Sequence, residues 1–196
     1  MRIAVLGTGR IGSTLGRAFA AAGHDVVLGA RDPQRATEVT GARVTDVPGA
    51  LADADVVVLA VPGAAVAGIV REHAQALGGK LVVDAANDIG GRGPVNSHNV
   101  LVTAAPGVRY ARAFNTLGVE NLQNPRYGDD VGDMFFTSSE DDRETVASLV
   151  DAVGLRPVWL GDGAQALCDD LLQLWFTLSR IRGSRHFALK VVGDPD

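Results

Sequence analysis

Arg2-Ile-Ala-Val-Leu-Gly7-Thr8-Gly9-Arg10-Ile11-Gly12 follows directly on Met1. The apolar run Ile3 to Leu6 leads into glycines spaced G-x-G-x-x-G, and a helical pattern continues from Ile11 to about Ala22. Strand, tight glycine turn and helix amino end, in that order, are the context in which such glycines acquire meaning; elsewhere they are only a turn. Gly7 permits the turn, Gly9 lets the backbone approach a pyrophosphate, and Gly12 allows the helix to lie close on the strand. The first N–H groups of the helix are left to face an anion. Gly7, Thr8, Gly9, Arg10, Ile11 and Gly12 are therefore read as the phosphate-binding turn of a dinucleotide site.

Outward from this turn, Asp25–Gly29, Asp55–Ala60, Lys80–Asp84, Val108–Phe114, Asp133–Thr137 and Arg156–Leu160 read as further strands, with a short one expected near Ala42–Thr45. Their apolar runs are continuous rather than alternating, as a parallel sheet covered on both faces requires, and the intervening segments have crossover length. Helices are expected over Ala64–Leu77 and Glu140–Val153, the second with Ser139 and Asp142 as a capping-box-like start and Gly154 as a stop. The fold class is thus α/β: a doubly wound, mostly parallel sheet of the Rossmann NAD(P)-binding kind over residues 1–160. Residues 161–196 are read as a C-terminal helical tail packing on that unit, not a separate domain. Asn87 to Asn99, rich in Gly, Asn and Ser, is the longest irregular segment and follows a strand's carboxyl end, where open α/β sheets bind ligands.

The 196 residues suffice for one core, and 46% apolar with 21% charged residues is ordinary globular composition, which removes disorder and coiled coil. The longest charge-free apolar stretch, Val56 to Val70, is broken by Pro62, Gly63 and Gly68, so no membrane span is expected. The first apolar run is too short for a signal-peptide core, and the single cysteine, Cys168, allows no intrachain disulfide; a cytoplasmic location is expected. A net charge of -5 argues against nucleic acid as a partner.

The end of the second strand selects the cofactor. An NAD site places Asp or Glu there for the ribose hydroxyls, whereas this chain has Gly29-Ala30-Arg31, and the planar cation of Arg31 suits a 2′-phosphate and a stacked adenine. NADP is the cofactor expected. Ala60-Val61-Pro62 ends the fourth strand and Asp84-Ala85-Ala86-Asn87 the fifth; the nicotinamide must pass between them, with Pro62 as an apolar wall. Asn87 is read either as a donor to the cofactor amide or a substrate carbonyl, or as a turn residue bonding its own backbone. The two lysines, Lys80 and Lys190, lie at a strand start and in the tail, so no lysine of the hydroxyacid-dehydrogenase type is present. The four histidines have no metal spacing, and no metal is expected; His98 is the one candidate proton donor among them. Catalytic candidates are therefore confined to His98 and Asn87. Arg180, Arg182, Arg185 and His186 form a basic tail, either facing an anionic second ligand or simply ending a solvated helix.

Taken together, Arg2-Ile-Ala-Val-Leu-Gly-Thr-Gly, Val26-Val-Leu-Gly-Ala-Arg31, Val82-Val-Asp-Ala-Ala-Asn87 and Ala113-Phe-Asn-Thr-Leu-Gly118 resemble the F-420-dependent NADP oxidoreductase family. The resemblance extends over nearly the whole chain, and the module is also similar to the cytosolic reductase domain of membrane metalloreductases. It implies that Thr8, Arg10, Ile11, Ala30 and Arg31 hold the adenosine phosphates, and that Ala60, Pro62, Asn87, Phe114 and Asn115 frame the meeting point of two rings. Val61 and Ala85 complete the expected cofactor-binding set. The chain departs from the family pattern at Ala30, where Ser or Thr is usual, and at Asp88, where proline is usual; the latter puts a carboxylate near the second site.

The expected activity is hydride transfer between NADP(H) and a small-molecule acceptor, a flavin (FMN or FAD) or the deazaflavin F-420. The alternatives are reduction of a small imine or carbonyl, suggested by Asp88 and His98, and a non-catalytic NADP-binding sensor, suggested by the missing acid-base set. In the tail, Leu167, Leu171, Leu174, Trp175, Leu178 and Ile181 give the helix Ala164–Arg182 an apolar stripe wider than one-sided packing needs. Either that stripe is the seam of a homodimer, with Trp175 in it, which is the expected state, or the last residues with Phe187, Leu189 and Val191 fold back over it.

Overall fold

The computed structural model describes residues 1–36, 43–91 and 93–193. β1 (Arg2–Leu6) leads into α1 (Arg10–Ala21), β2 (Asp25–Gly29), β3 (Arg43–Thr45), α2 (Val47–Leu51), β4 (Val56–Leu59), α3 (Gly63–Glu72), α4 (Ala74–Leu77) and β5 (Leu81–Asp84). Then come α5 (His98–Ala104), β6 (Arg109–Arg112), α6 (Val119–Gln123), β7 (Arg126–Tyr127), β8 (Asp130–Val131), β9 (Asp133–Phe136), α7 (Arg143–Val153), β10 (Arg156–Trp159) and α8 (Gln165–Arg182). Of the third strand expected near Ala42–Thr45, Arg43 to Thr45 form β3, and Ala42 lies outside the described residues. The last three residues of the expected tail, 194–196, also lie outside them.

Six strands form a parallel sheet in the order β3-β2-β1-β4-β5-β6. β1 is central, with Ile3 opposite both Val26 and Val56. The order reverses between β1 and β4, which opens a crevice at their carboxyl ends. The sheet continues through an antiparallel bridge in which Arg112 and Thr137 exchange backbone hydrogen bonds of 2.9 and 3.1 Å. β9 and its parallel neighbour β10 thus run against the six, which makes the sheet mostly parallel.

Alternation along each strand divides the apolar residues between two cores. Ile3, Val5, Val26, Leu28, Val56, Val58, Leu81 and Val83 join Leu15 and Phe19 of α1, Leu149 and Val150 of α7 and Trp175 of α8. Ala4, Leu6, Val57, Leu59 and Val82 face Leu51, Val66, Val70, Leu77 and Leu101 on the other side. Because both faces are covered, the strands read as unbroken apolar runs rather than alternating ones.

The expected helix Ala64–Leu77 is two helices, broken at His73, whose dihedrals of -118° and 21° leave the helical region. The Ser139–Asp142 pair is made, with the Ser139 hydroxyl 3.0 Å from Asp142 Oδ2 and accepting the Asp142 N–H at 3.3 Å, and the helix proper starts just after it, at Arg143. Gly154 ends that helix in the left-handed region at φ 84°, as a stop glycine should.

The tail takes the fold-back course. The Trp175 indole N–H donates to Phe187 O at 3.2 Å, the two rings stack at 5.5 Å, and the Leu189 carbonyl accepts the Asp133 N–H at 3.0 Å. Trp175, expected in a seam between copies, is 1% exposed and covered by its own chain. The other edge of α8 is uncovered, with Leu167, Leu174 and Ile181 at 52%, 45% and 76% exposure. Among the described residues no helix is long and apolar enough to cross a membrane.

Candidate functional site

Gly7 ends β1 at φ 116°, and a Cβ there would stand 2.4 Å from the Ala60 carbonyl oxygen. A Cβ on Gly12 would meet Gly7 O at 2.0 Å, so α1 lies against the strand end with no room for a methyl group. Gly9 is different: its backbone is extended, and an added Cβ would find nothing within 4 Å. No contact within the protein demands glycine at that position, so the space is available to a ligand. The helix start has no capping side chain and no acidic residue in its first turn, leaving its free N–H groups to an anion. These residues fit a pyrophosphate.

Two cavities flank this turn. One, of about 550 Å³, is lined by Gly7, Thr8, Gly9, Ala30, Arg31 and Val61, with Ala65, Arg71 and Glu72 of α3 across it. The other, of about 470 Å³, is lined by Gly9, Arg10, Ile11, Ala60, Val61, Pro62, Ala85, Asn87 and Asn115 on its sheet side. Its far wall is Leu117, Gly118, Val119, Leu172, Trp175, Phe176 and Arg185. Gly9 and Val61 line both, so the phosphate turn joins an adenosine-sized space to a ring-sized one.

Most of the cofactor-binding residues expected from the sequence line these two spaces. Gly12 lies beneath the turn, and Phe114 goes elsewhere: it is fully buried, with its ring centroid 6.0 Å from that of Phe19, and lines neither cavity. Its φ of 62° is the one positive value at a non-glycine residue among those described, a strained conformation for a bulky side chain. Asn87 reaches the second cavity. His98 does not: its ring stands edge-on to Tyr110 at 4.9 Å, and it lines separate hollows with Gln165. Asp88 also lines neither cavity; its backbone N–H donates to Val95 O, and its carboxylate occupies the space beside Gly91.

Beneath Asn87 lies a buried ionic cluster that the sequence reading missed. Arg112, at the end of β6, has no exposed side-chain surface. Its Nε donates to Asp169 Oδ1 at 2.8 Å, Nη1 to Asp84 Oδ2 and Ala86 O at 3.2 and 2.9 Å, and Nη2 to Asn87 Oδ1 at 2.7 Å. Nη2 also lies 2.7 Å from Asp169 Oδ1. Asp84 Oδ2 further accepts from the Ser97 N–H and the Tyr110 hydroxyl at 2.7 and 3.1 Å. Burial pushes the Asp84 carboxyl up from its ordinary range, against the pull of Arg112. Asn87 Nδ2 donates to Asn115 O at 3.1 Å, while Asn115 Oδ1 is buried without a partner among the described residues. An arginine in an apolar strand was the available signal; its partners become visible only when β5 and β6 are known to be adjacent.

Of the basic tail, Arg185 comes to the ring-sized cavity, 5.0 Å from the Trp175 ring centroid and 3.5 Å from Glu120. Arg10 approaches the same carboxylate at 3.8 Å. Neither cavity is lined by His, Lys, Tyr, Cys or Asp among the described residues, and the only carboxylate is Glu72 on the adenosine side. No group of three or more His, Cys, Asp or Glu side chains among them is arranged to hold a metal ion.

A doubly wound sheet with a glycine turn at its switch point and a ring-sized space beside it defines a dinucleotide-binding protein. Residues 2–88 match the model of the family described as coenzyme F-420-dependent NADP oxidoreductase, and the chain is similar to NADP-dependent oxidoreductases of that kind. A provisionally assigned F-420-dependent NADP reductase from Arthrobacter sp. FB24 is 26% identical over 98% of this chain and 100% of its own, with a TM-score of 0.85. A hypothetical protein from Sinorhizobium meliloti is 33% identical over 83% and 85% of the two chains, with a TM-score of 0.70. The reductive aminase of Aspergillus terreus, solved with NADPH and ethyl levulinate, shares the fold at 17% identity and a TM-score of 0.70; this chain spans 62% of its length.

Gly9 separates the functional from the purely structural reading of the turn. Gly9→Ala is expected to leave the melting temperature unchanged, because the methyl group enters open space, and to weaken NADPH by at least about tenfold, roughly 1.4 kcal/mol. Titration and thermal melting of the one variant measure both. At the other end, Arg31→Asp should weaken NADPH by roughly 1.5 to 3 kcal/mol, the range for a hydrogen bond to a charged group, and change NADH little. Equal losses for the two cofactors would show that Arg31 does not discriminate between them.

Proposed function

We propose that the protein transfers hydride between NADP(H) and a flavin or deazaflavin ring, with F-420, FMN and FAD as the candidate acceptors. One observation carries this reading: the ring-sized cavity offers apolar and aromatic walls and amide groups, but among the described residues no side chain lining it is placed to give or take a proton. Reduction of an isolated carbonyl or imine needs a proton donor beside the reacting atom. A fused ring takes up the electron pair by delocalisation, so its protein needs chiefly to position it. Asp88 and His98, on which the imine or carbonyl alternative rested, stand away from the cavity, which favours the ring acceptor.

When bound, NADP(H) supplies the hydride chemistry. The protein's own part is to hold and exclude. The turn Gly7–Gly12 grips the pyrophosphate through backbone N–H groups, and Arg31 holds the 2′-phosphate. Val61 and Pro62 wall the nicotinamide, and Leu172, Trp175 and Phe176 of α8 keep water from the face where the acceptor stacks. Arg10 and Arg185 at the rim suit an acceptor with an anionic tail. Within this reading the tail from residue 161 to 193 closes the acceptor side of the preceding unit rather than forming a second domain, and the protein is cytoplasmic.

Rapid mixing of NADPH-loaded protein with F-420, FMN and FAD tests the activity. Oxidation of NADPH by at least one ring is expected, and no oxidation by any of the three would remove the reading. NADPH binding without turnover across carbonyl and imine panels as well would leave the sensor.

The same reading includes a homodimer. Leu167, Leu174 and Ile181, with the half-buried Leu171 and Leu178 between them, make a seam of alternating four- and three-residue spacing along the uncovered edge of α8. Another copy of this chain supplies a matching stripe. Sedimentation is expected at twice the 20.4 kDa chain mass, with Leu174→Glu reverting it to one. Wild-type protein at the single-chain mass removes the dimer.

A further inference from the structure

We infer that Arg112 is a positioning residue: it fixes the Asn87 amide so that the cavity is offered an N–H donor, and it anchors both walls of the ring-sized space to one guanidinium. The inference rests on that space being the ring site proposed above.

The orientation of Asn87 follows from donor chemistry alone. A guanidinium has five N–H donors and no acceptor. The Asn87 atom 2.7 Å from Arg112 Nη2 must therefore be the amide oxygen. That places Nδ2 on the other side, where one of its hydrogens goes to the Asn115 carbonyl at 3.1 Å. Its second hydrogen has no partner among the described residues, and Asn87 lines the cavity. The group it can engage is an acceptor, a carbonyl oxygen borne by a ring. Two sources carry that chemistry: the carboxamide of nicotinamide, and the carbonyl of a flavin or deazaflavin.

The same guanidinium ties the walls together. Nη1 holds the Ala86 carbonyl and Asp84 at the end of β5, next to Ala85 and Asn87 of the sheet-side wall. Nε holds Asp169 on α8 at 2.8 Å, and three and six residues further along that helix Leu172 and Trp175 form the opposite wall. A second tie, from Asn96 Nδ2 to Asp169 Oδ2 at 2.7 Å, joins the loop after β5 to the same helix. Nε, Nη1 and Nη2 of Arg112 each donate to an acceptor, on Asp169, on Asp84 and Ala86, and on Asn87, so its geometry is determined from several sides at once. Burying an ion cluster in place of apolar side chains seldom adds stability. A role in placing Asn87 and α8 accounts for a cluster that stability alone does not require.

The test is a double-mutant cycle on ligand binding. Arg112→Lys keeps a cation between Asp84 and Asp169 but cannot hold Asn87 as well; Asn87→Ala removes the amide. Each is titrated with 2′,5′-ADP, which occupies the adenosine side alone, with NADP⁺, and with FMN and F-420 in the presence of NADP⁺. Arg112→Lys is expected to leave 2′,5′-ADP within about twofold of wild type and to weaken NADP⁺, or the ring acceptor on top of it, by about tenfold. The arm that weakens identifies which carbonyl Asn87 meets. In the Asn87→Ala background Arg112→Lys should add little further loss, because the two act as one unit.

Equal weakening of 2′,5′-ADP would make Arg112 a general support of the fold and overturn the inference. So would unchanged binding in both ring arms, or full additivity with Asn87→Ala. If Arg112→Lys fails to fold, Asp169→Asn, which keeps an acceptor on α8 while weakening its hold on Arg112, is taken through the same cycle with the same outcomes. Failure of the proposed activity appears separately, as absence of NADPH oxidation in the wild type, while these binding ratios are read without turnover.

Discussion

The contact on which the site depends is the one between α1 and the end of β1. A methyl group at Gly12 would lie 2.0 Å from the Gly7 carbonyl oxygen, and one at Gly7 would lie 2.4 Å from that of Ala60. Helix, turn and the end of β4 are therefore as close as backbone allows. This approach aims the amino end of a 12-residue helix into the crevice where the strand order reverses. It also leaves Gly9 facing open space. A phosphate held there is met by backbone N–H groups whose direction is fixed by the helix, with no side chain to reorganise.

Across the crevice the site is organised differently. The adenosine side is built mostly from backbone and small residues, whereas the ring side is set by a buried cluster of charges and a helix that is not part of the sheet. Arg112, Asp84 and Asp169 lose most of their hydration, and their mutual attraction and the hydrogen bonds around them offset that cost. Burial and the neighbouring Asp84 both push the Tyr110 hydroxyl up, so it stays a proton-bearing donor to that carboxylate across the working pH range. The cluster is thus a hydrogen-bonded floor to the ring space.

What was legible in the sequence follows the same division. Gly7, Gly9 and Gly12, the apolar strands and the Ala30-Arg31 corner announce themselves because local geometry and burial on both faces restrict the residues that fit. The helices Val47–Leu51 and Val119–Gln123 are too short to show a period, and His98–Ala104 opens within a stretch whose composition reads as irregular. Arg112 looks like an anomaly in a strand until β5 is placed beside it. Phe114 was expected at the ring site, but its left-handed backbone sends the side chain into the core. Trp175 had two possible covers, and which one applies depends on where Phe187 returns, which helical periodicity does not encode.

The absence of a proton donor among the described residues lining the ring-sized cavity and the presence of the cluster beneath it belong together. A site that protonates its substrate must hold an acid of suitable pKa within hydrogen-bond reach, and a neighbouring buried guanidinium would depress a carboxylic acid toward its charged form. Here Asp84 and Asp169, beneath Asn87, are engaged with Arg112, Glu120 at the rim lies against Arg10 and Arg185, and the group passed upward to the cavity is the neutral amide of Asn87. An amide orients a carbonyl without competing for its proton. That combination suits a reaction limited by the stacking of two rings, and it is poorly suited to one that must deliver a proton to an isolated oxygen or nitrogen.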